Sequence, residues 1–273
     1  MNDQQSGAVL ELRGIGKSYV STRTSDSVEA LTDVDFTLRQ GEFFAVVGPS
    51  GCGKSTLLSI VAGFVVPSTG EVRFEGKPIT GPAPERGVMF QDYALFPWQT
   101  VAGNIEFGPR ARGVASAVRK ARAQALTELV GLQGFENRYP HELSGGMRQR
   151  CALARMLAND PRMWLMDEPL AAVDLQTRII LQDELLRLWG DGEARAQRPT
   201  VVFVTHGIEE AVLLADRVLV LARRPGRIKA IIDIDLPRPR APQRNGPGVA
   251  RFSETLWSLI REDAAQAMTE QGR

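Results

Sequence analysis

Cysteine, lysine and histidine are scarce in this chain, and it contains no long hydrophobic run. Each shortage removes a class of protein. Two cysteines in 273 residues, Cys52 and Cys151, make no disulfide framework, so a reducing compartment and a self-supporting core are expected. The most extended apolar stretch, Leu57 to Val66, is broken by Ser59 and Gly63 and falls far short of the roughly 18 residues that span a bilayer. The start, Met1 to Arg13, carries Asp3 and Glu11 but no basic region followed by an apolar run, so no secretory signal is expected. Any action at a membrane would require a second chain to cross it. Net charge is +1, which gives no electrostatic reason to expect nucleic acid or an anionic lipid surface as partner. Only five of the 33 basic residues are lysine, so a lysine inside a motif stands out.

What is present reads as an ordinary globular α/β chain, with 43% hydrophobic and 24% charged residues. Four short apolar runs have the look of buried strands: Phe43 to Val47, Met163 to Met166, Val201 to Val204 and Val218 to Leu221. Helical patterns such as Ile179 to Trp189 and Ile208 to Ala215 alternate with them, which predicts a largely parallel sheet covered on both faces. Asp92 to Ala158 carries helical periodicity and no convincing strand, as an inserted helical subdomain would. Leu236 to Ala250 is rich in Pro, Arg and Gly and reads as a linker or surface loop. Beyond it Phe252, Leu256, Leu259 and Ile260 fall at helical spacing, predicting a short terminal helix docked on the body.

The first apolar run ends in Gly48-Pro49-Ser50-Gly51-Cys52-Gly53-Lys54-Ser55-Thr56 and leads into an apolar helix. This is G-x-x-x-x-G-K-[ST] in its required context, strand before and helix after. The glycines let successive backbone N–H groups converge on one phosphate, and the helix start adds a favourable dipole. Lys54 would neutralise terminal phosphates and Ser55 would hold Mg²⁺. Asp167 and Glu168 follow the second apolar run. The first is placed to orient Mg²⁺ and the second to polarise an attacking water. Cys52, beside Lys54 and a helix start, is expected to carry a reactive thiol.

Leu143-Ser144-Gly145-Gly146-Met147-Arg148-Gln149-Arg150 is the most informative stretch. Ser144 suits the cap of a helix running to about Ala158, and the two glycines leave N–H groups open to phosphate oxygens. The stretch resembles the LSGGQ signature of ABC ATPases, and the resemblance extends from about Val9 to Leu236. It implies a P-loop NTPase (RecA-like) core with a mostly parallel sheet, an N-terminal antiparallel β part and the inserted helical subdomain. Residues 8–236 would then form the ATPase domain, and 237–273 the linker and terminal helix. It further implies that Ser144, Gly145 and Gly146 close over ATP held by a second subunit, so that two copies sandwich two ATP molecules. By the same resemblance Tyr19 stacks on adenine, Gln91 senses Mg²⁺ and water, His206 contacts the γ-phosphate, and Asp174 makes a dimer contact. His141 is expected to support the signature loop. Two departures from the family pattern are Ala172-Val173 before Asp174, and Gly207 where an aspartate usually follows the histidine.

Phe96-Pro97-Trp98, Asn104 to Gly108, Arg224-Pro225-Gly226-Arg227-Ile228 and Leu236-Pro237-Arg238-Pro239-Arg240 are similar to the importer ATPases for nitrate, sulfonates and taurine. That branch implies a homodimer on the cytoplasmic face of the membrane, bound to permease subunits and served by an extracytoplasmic solute-binding protein. Trp98, past a proline and beside Gln99 and Thr100, is expected on the surface that meets the permease. Other readings are an ABC ATPase of another transporter branch, a non-transport ABC ATPase acting on DNA or ribosomes, and a P-loop metabolic kinase. The chain lacks the coiled coil or second ATPase half of the non-transport group, and a kinase would leave the signature unexplained.

Overall fold

The computed structural model describes residues 8–20, 27–171, 173–191, 194–240, 244 and 246–271; Ala172 and part of the Pro/Arg-rich stretch lie outside them. Two long strands open the chain, β1 (Ala8–Val20) and β2 (Ser27–Arg39), paired antiparallel. There follow β3 (Phe43–Val47), α1 (Lys54–Ala62), β4 (Thr69–Phe74), the two-residue β5 (Lys77–Pro78) and β6 (Arg86–Met89). Three helices, α2 (Val101–Ala111), α3 (Ser116–Leu129) and α4 (Gly145–Leu157), fill the interval before β7 (Met163–Asp167), and no strand lies among them. The rest runs α5 (Leu175–Trp189), β8 (Thr200–Val204), α6 (Ile208–Leu214), β9 (Arg217–Leu221), β10 (Ile228–Asp233) and α7 (Pro247–Gln271).

The strands form two sheets. One is antiparallel with order β2-β1-β4-β5; the other has order β10-β9-β3-β8-β7-β6 and is parallel except for the β10–β9 edge pair. β3 lies inside the parallel sheet with all five residues buried, and its alternation divides the core. Phe43, Ala45 and Val47 face a cluster built from α4, α5, α6 and α7, whereas Phe44 and Val46 face α1 and the antiparallel sheet. The four apolar runs read from the sequence are β3, β7, β8 and β9. Among the described residues no helix is long and apolar enough to cross a membrane.

The C-terminal part departs from expectation in two ways. The terminal helix is 25 residues long rather than short. Phe252, Leu256, Leu259 and Ile260, the residues that carried the pattern, pack against the core. Residues 236–240, expected as linker or loop, are clamped to the body. Arg238 pairs with Asp216 at 2.8 Å and Asp191 at 3.2 Å and covers the Trp189 ring. Arg240 is buried and donates to the carbonyls of Val212, Ala215 and Ile234; burial pushes its pKa down to about 10. Composition suggested a linker because arginine and proline favour surfaces. Buried carbonyls at the C-terminal end of α6, left without helical partners, give these guanidinium groups acceptors instead.

Candidate active site

The site begins where β3 meets α1. Gly53 is the residue before α1, at φ 98°, a left-handed value that L side chains rarely adopt. A Cβ there would lie 2.7 Å from Leu31 Cδ2 and 2.8 Å from the Ala30 carbonyl, so glycine is required twice over. Lys54, only 5% exposed, donates from Nζ to the carbonyls of Gly48 at 2.9 Å and Pro49 at 3.0 Å. The loop thus wraps around an ammonium held at its centre. Ser50, Gly51, Lys54, Ser55 and Thr56 line an open cavity of about 370 Å³.

Three predicted residues from three strand ends converge on the opposite wall of that cavity. Gln91 follows β6, Glu168 follows β7 and His206 follows β8. His206 Nε2 lies 2.6 Å from Glu168 Oε1, and Gln91 Nε2 lies 3.5 Å from Glu168 Oε2. Glu168 sits at φ 49°, and its N–H donates to the Val204 carbonyl of β8 at 2.9 Å. A non-glycine residue in that region is strained and persists only where its surroundings impose it. Here the neighbouring strand end imposes it and aims the carboxylate across the loop.

Asp167 lies beside them, at the end of β7. Burial pushes its carboxyl above the usual range; a hydrogen bond with Ser55 and the charge of Lys54 pull it back, against the push of Glu168. Its Oδ1 is buried and accepts no hydrogen bond, which is costly for a carboxylate oxygen. An orphaned carboxylate oxygen next to the Ser55 hydroxyl is a donor set that suits a hard cation keeping several waters.

Not every expected residue reaches this cavity. Tyr19, on β1 and paired with Val28, is exposed at 42% with Lys17 Nζ 5.2 Å from its ring centre, and it is not among the lining residues. Cys52 is fully buried beneath the loop with Sγ 3.9 Å from Lys54 Nζ. Burial pushes its thiol up more than the lysine pulls it down, which corrects the expectation of a reactive thiol. Asp174 caps α5, its Oδ1 accepting from the Thr177 N–H at 3.0 Å, and that bond holds its carboxyl below the usual range.

The signature residues also stay out of this cavity. Ser144 is exposed and caps α4, accepting from the Met147 N–H at 3.3 Å, with Gly145 and Gly146 half-buried behind it. None of the three lines the cavity. His141 stacks on Tyr139 at 5.8 Å in the 3₁₀ turn just ahead of the signature. Trp98 is 68% exposed. Asn104 of α2, fully buried, fixes the loop that presents it, accepting from the Phe96 N–H and donating to the carbonyls of Phe96, Gln99 and Thr100. Phe96 packs on Phe107, with ring centres 4.2 Å apart, and on Trp98 at 5.6 Å.

Some participants were missed. Ala30 and Arg224 also line the cavity. Arg224 arrives on a loop held by Gly226, whose N–H donates to Ala30 and whose carbonyl accepts from Thr32, both at 2.9 Å. A Cβ on Gly226 would lie 2.0 Å from the Cys52 carbonyl, so only glycine permits this approach. The Pro225-Gly226 pair is the signal the sequence holds, and there it points only to the resemblance with one transporter branch. Thr205 and Glu210, which bond to each other across the turn after β8, were also missed; the bond from Gln182 to Glu210 joins residues 28 apart and has no local signal.

Comparison with known proteins places this geometry. Residues 31–171 match the ABC transporter domain family. An uncharacterised ABC transporter ATP-binding protein of Methanocaldococcus jannaschii is 47% identical over 241 residues, 88% of each chain. A taurine import ATP-binding protein of a Jannaschia species is 50% identical over 219 residues, 80% of each chain. Among solved structures, a dimeric ATP-binding cassette in a post-hydrolysis state with ADP and phosphate superposes with TM-score 0.73 at 29% identity, covering 83% of this chain and 99% of that one.

Proposed function

Because the chain belongs to the ABC transporter family as an ATP-binding, ATP-hydrolysing subunit, we propose that it energises an importer of a small anion such as taurine, another sulfonate or nitrate. The observation that carries the catalytic part is the meeting of Gln91, Glu168 and His206 opposite the phosphate loop, in a cavity whose lining lacks Ser144, Gly145 and Gly146.

Two copies act together, each supplying what the other lacks. The loop N–H groups and Lys54 hold the phosphates, Lys54 exchanging its two carbonyl partners for phosphate oxygens. Ser55 and Asp167 would hold Mg²⁺, which neutralises charge on the terminal phosphates when bound. Glu168 orients the attacking water and takes up its proton density, while His206 holds the carboxylate from one side and Gln91 from the other. Ser144, Gly145 and Gly146 of the second copy close the site with helix-start N–H groups. Asp174 stands at the contact between copies, and Tyr19 supports adenine. The exposed Trp98 anchors the permease, and the dimer sits peripherally on the cytoplasmic face of the membrane. An extracytoplasmic binding protein selects the solute, and nucleic acid is not a partner.

The test is reconstitution of this chain with its permease in vesicles holding ATP, with binding protein outside. Uptake of labelled taurine, a longer alkanesulfonate and nitrate is then compared. Accumulation of one of them, abolished by Glu168→Gln, is the expected result. ATP-driven movement of a different solute alone would move the chain to another transporter branch and leave the ATPase assignment standing.

A further inference from the structure

His206 stands in the turn between β8 and α6. It is followed by Gly207, at φ −81° and ψ 106°, which begins α6 without any side-chain cap. Thr205 Oγ1 accepts the Gly207 N–H at 2.9 Å and donates its own hydrogen to Glu210 Oε2. These two bonds straddle His206 and fix the turn that carries it.

Glu210 does not stand alone. Burial pushes its carboxyl up, and the bonds from Thr205 and Gln182 pull it back. Gln182 of α5, itself buried, donates from Nε2 to Glu210 Oε1 at 2.9 Å. Its amide oxygen accepts from Arg244, which lies between β10 and α7, and the same guanidinium reaches Asp183 at 2.7 Å. The amide therefore has one donor role and one acceptor role, and its orientation is set by opposite partners. Arg244 and His206 both line a cavity of about 490 Å³ between α5, α6 and α7. A Cβ at position 207 would lie 3.2 Å from Glu210 Cβ, so the family's aspartate would crowd this arrangement.

We propose that Arg244 is a positioning residue for the catalytic histidine, acting through Gln182, Glu210 and Thr205 to hold His206 against Glu168. The C-terminal segment thereby sets the rate of hydrolysis without touching nucleotide. This rests on the catalytic assignment of His206 made above.

The experiment is steady-state ATP hydrolysis by the purified full-length chain over a range of ATP concentrations, with thermal melting of each variant. Arg244→Ala should lower kcat about tenfold with ATP KM within about twofold, the rate equivalent of losing one charge-assisted bond in the turn. Gln182→Leu should do the same, and the two together should be no worse than either alone, because they cut one chain. Arg244→Lys should recover part of the rate, since an ammonium can serve one of the two acceptors. Thr205→Val, close to isosteric, removes the last link beside His206 and should lower kcat even if Arg244→Ala fails to fold. Wild-type kcat in Arg244→Ala, or losses that multiply in the double variant, would overturn the relay. An inactive His206→Ala beside an undiminished Arg244→Ala overturns the relay alone, whereas a fully active His206→Ala overturns the assignment of His206 itself.

Discussion

The half of the nucleotide site carried by the sheet and the half carried by the helical segment differ in how much of their bonding is satisfied within one chain. On the sheet, Lys54 is buried in the carbonyls of its own loop, Glu168 is braced by His206 and Gln91, and Gly53 sits where no other residue fits. On the helical segment, Ser144 caps its own helix and is exposed, and among the described residues a Cβ on Gly146 would meet Val173 alone, at an ordinary 3.6 Å. Trp98 likewise stands 68% exposed on a loop held rigid by the buried Asn104. Gly48 and Gly53 of the first half answer to contacts inside the molecule. Gly146 has no such close contact among the described residues, which suits the proposed approach of a second copy, and one solved structural relative is a dimeric cassette.

The largest effect that could break this comparison is at Glu168. Glu168→Gln should lower ATP hydrolysis about 10²–10⁴-fold, roughly 3–5 kcal/mol in barrier, while ATP binding survives. ATP should then trap a dimer visible by size exclusion, and near-normal turnover would remove the carboxylate from catalysis. Next comes Trp98→Ala, which should weaken permease association by about 2 kcal/mol, near 30-fold, with little change in the ATPase of the free subunit. Loss of both together would mean that Trp98 serves the fold and not the partner.

Gly146→Ala sharpens the contrast most directly. The isolated chain should fold and bind ATP as before, because the new methyl has room. The ATP-trapped dimer in the Glu168→Gln background should weaken about tenfold, from one close approach to phosphate lost. An unchanged dimer would deny the signature its role across the interface. The smallest effect concerns Cys52, which should react with maleimide about fivefold more slowly than an exposed cysteine at neutral pH, because burial disfavours the thiolate. Labelling as fast as a free thiol would mean that the loop opens far more than its packing suggests.

Much of the fold was legible because its signals are local. Each buried strand is a run of four or five apolar residues, and the phosphate loop and the Ser-capped α4 are read from spacing alone. The convergence of Gln91, Glu168 and His206 was expected only through family resemblance, since they end strands that neighbour in space and are separated by 77 and 38 residues in the chain. Cys52 misled because charge and helix start were visible in the sequence while burial was not. Arg238 and Arg240 misled in the same way, their carbonyl partners lying on α6 and beyond.

By itself, then, the sequence determined the type of chemistry: a phosphate loop, a pair of acidic residues after a strand, and a helix start stripped of side chains. These depend on the order of residues within a dozen positions, where backbone geometry and side-chain type settle the outcome. Only the tertiary structure decided which side chains support which. The hydrogen-bonded path from Arg244 to His206 joins α5, α6 and the segment before α7, and Arg224 reaches the cavity only because Gly226 packs against the Cys52 carbonyl. Such contacts are set by how the sheet and its helices pack in three dimensions, and short-range pattern carries no record of that packing.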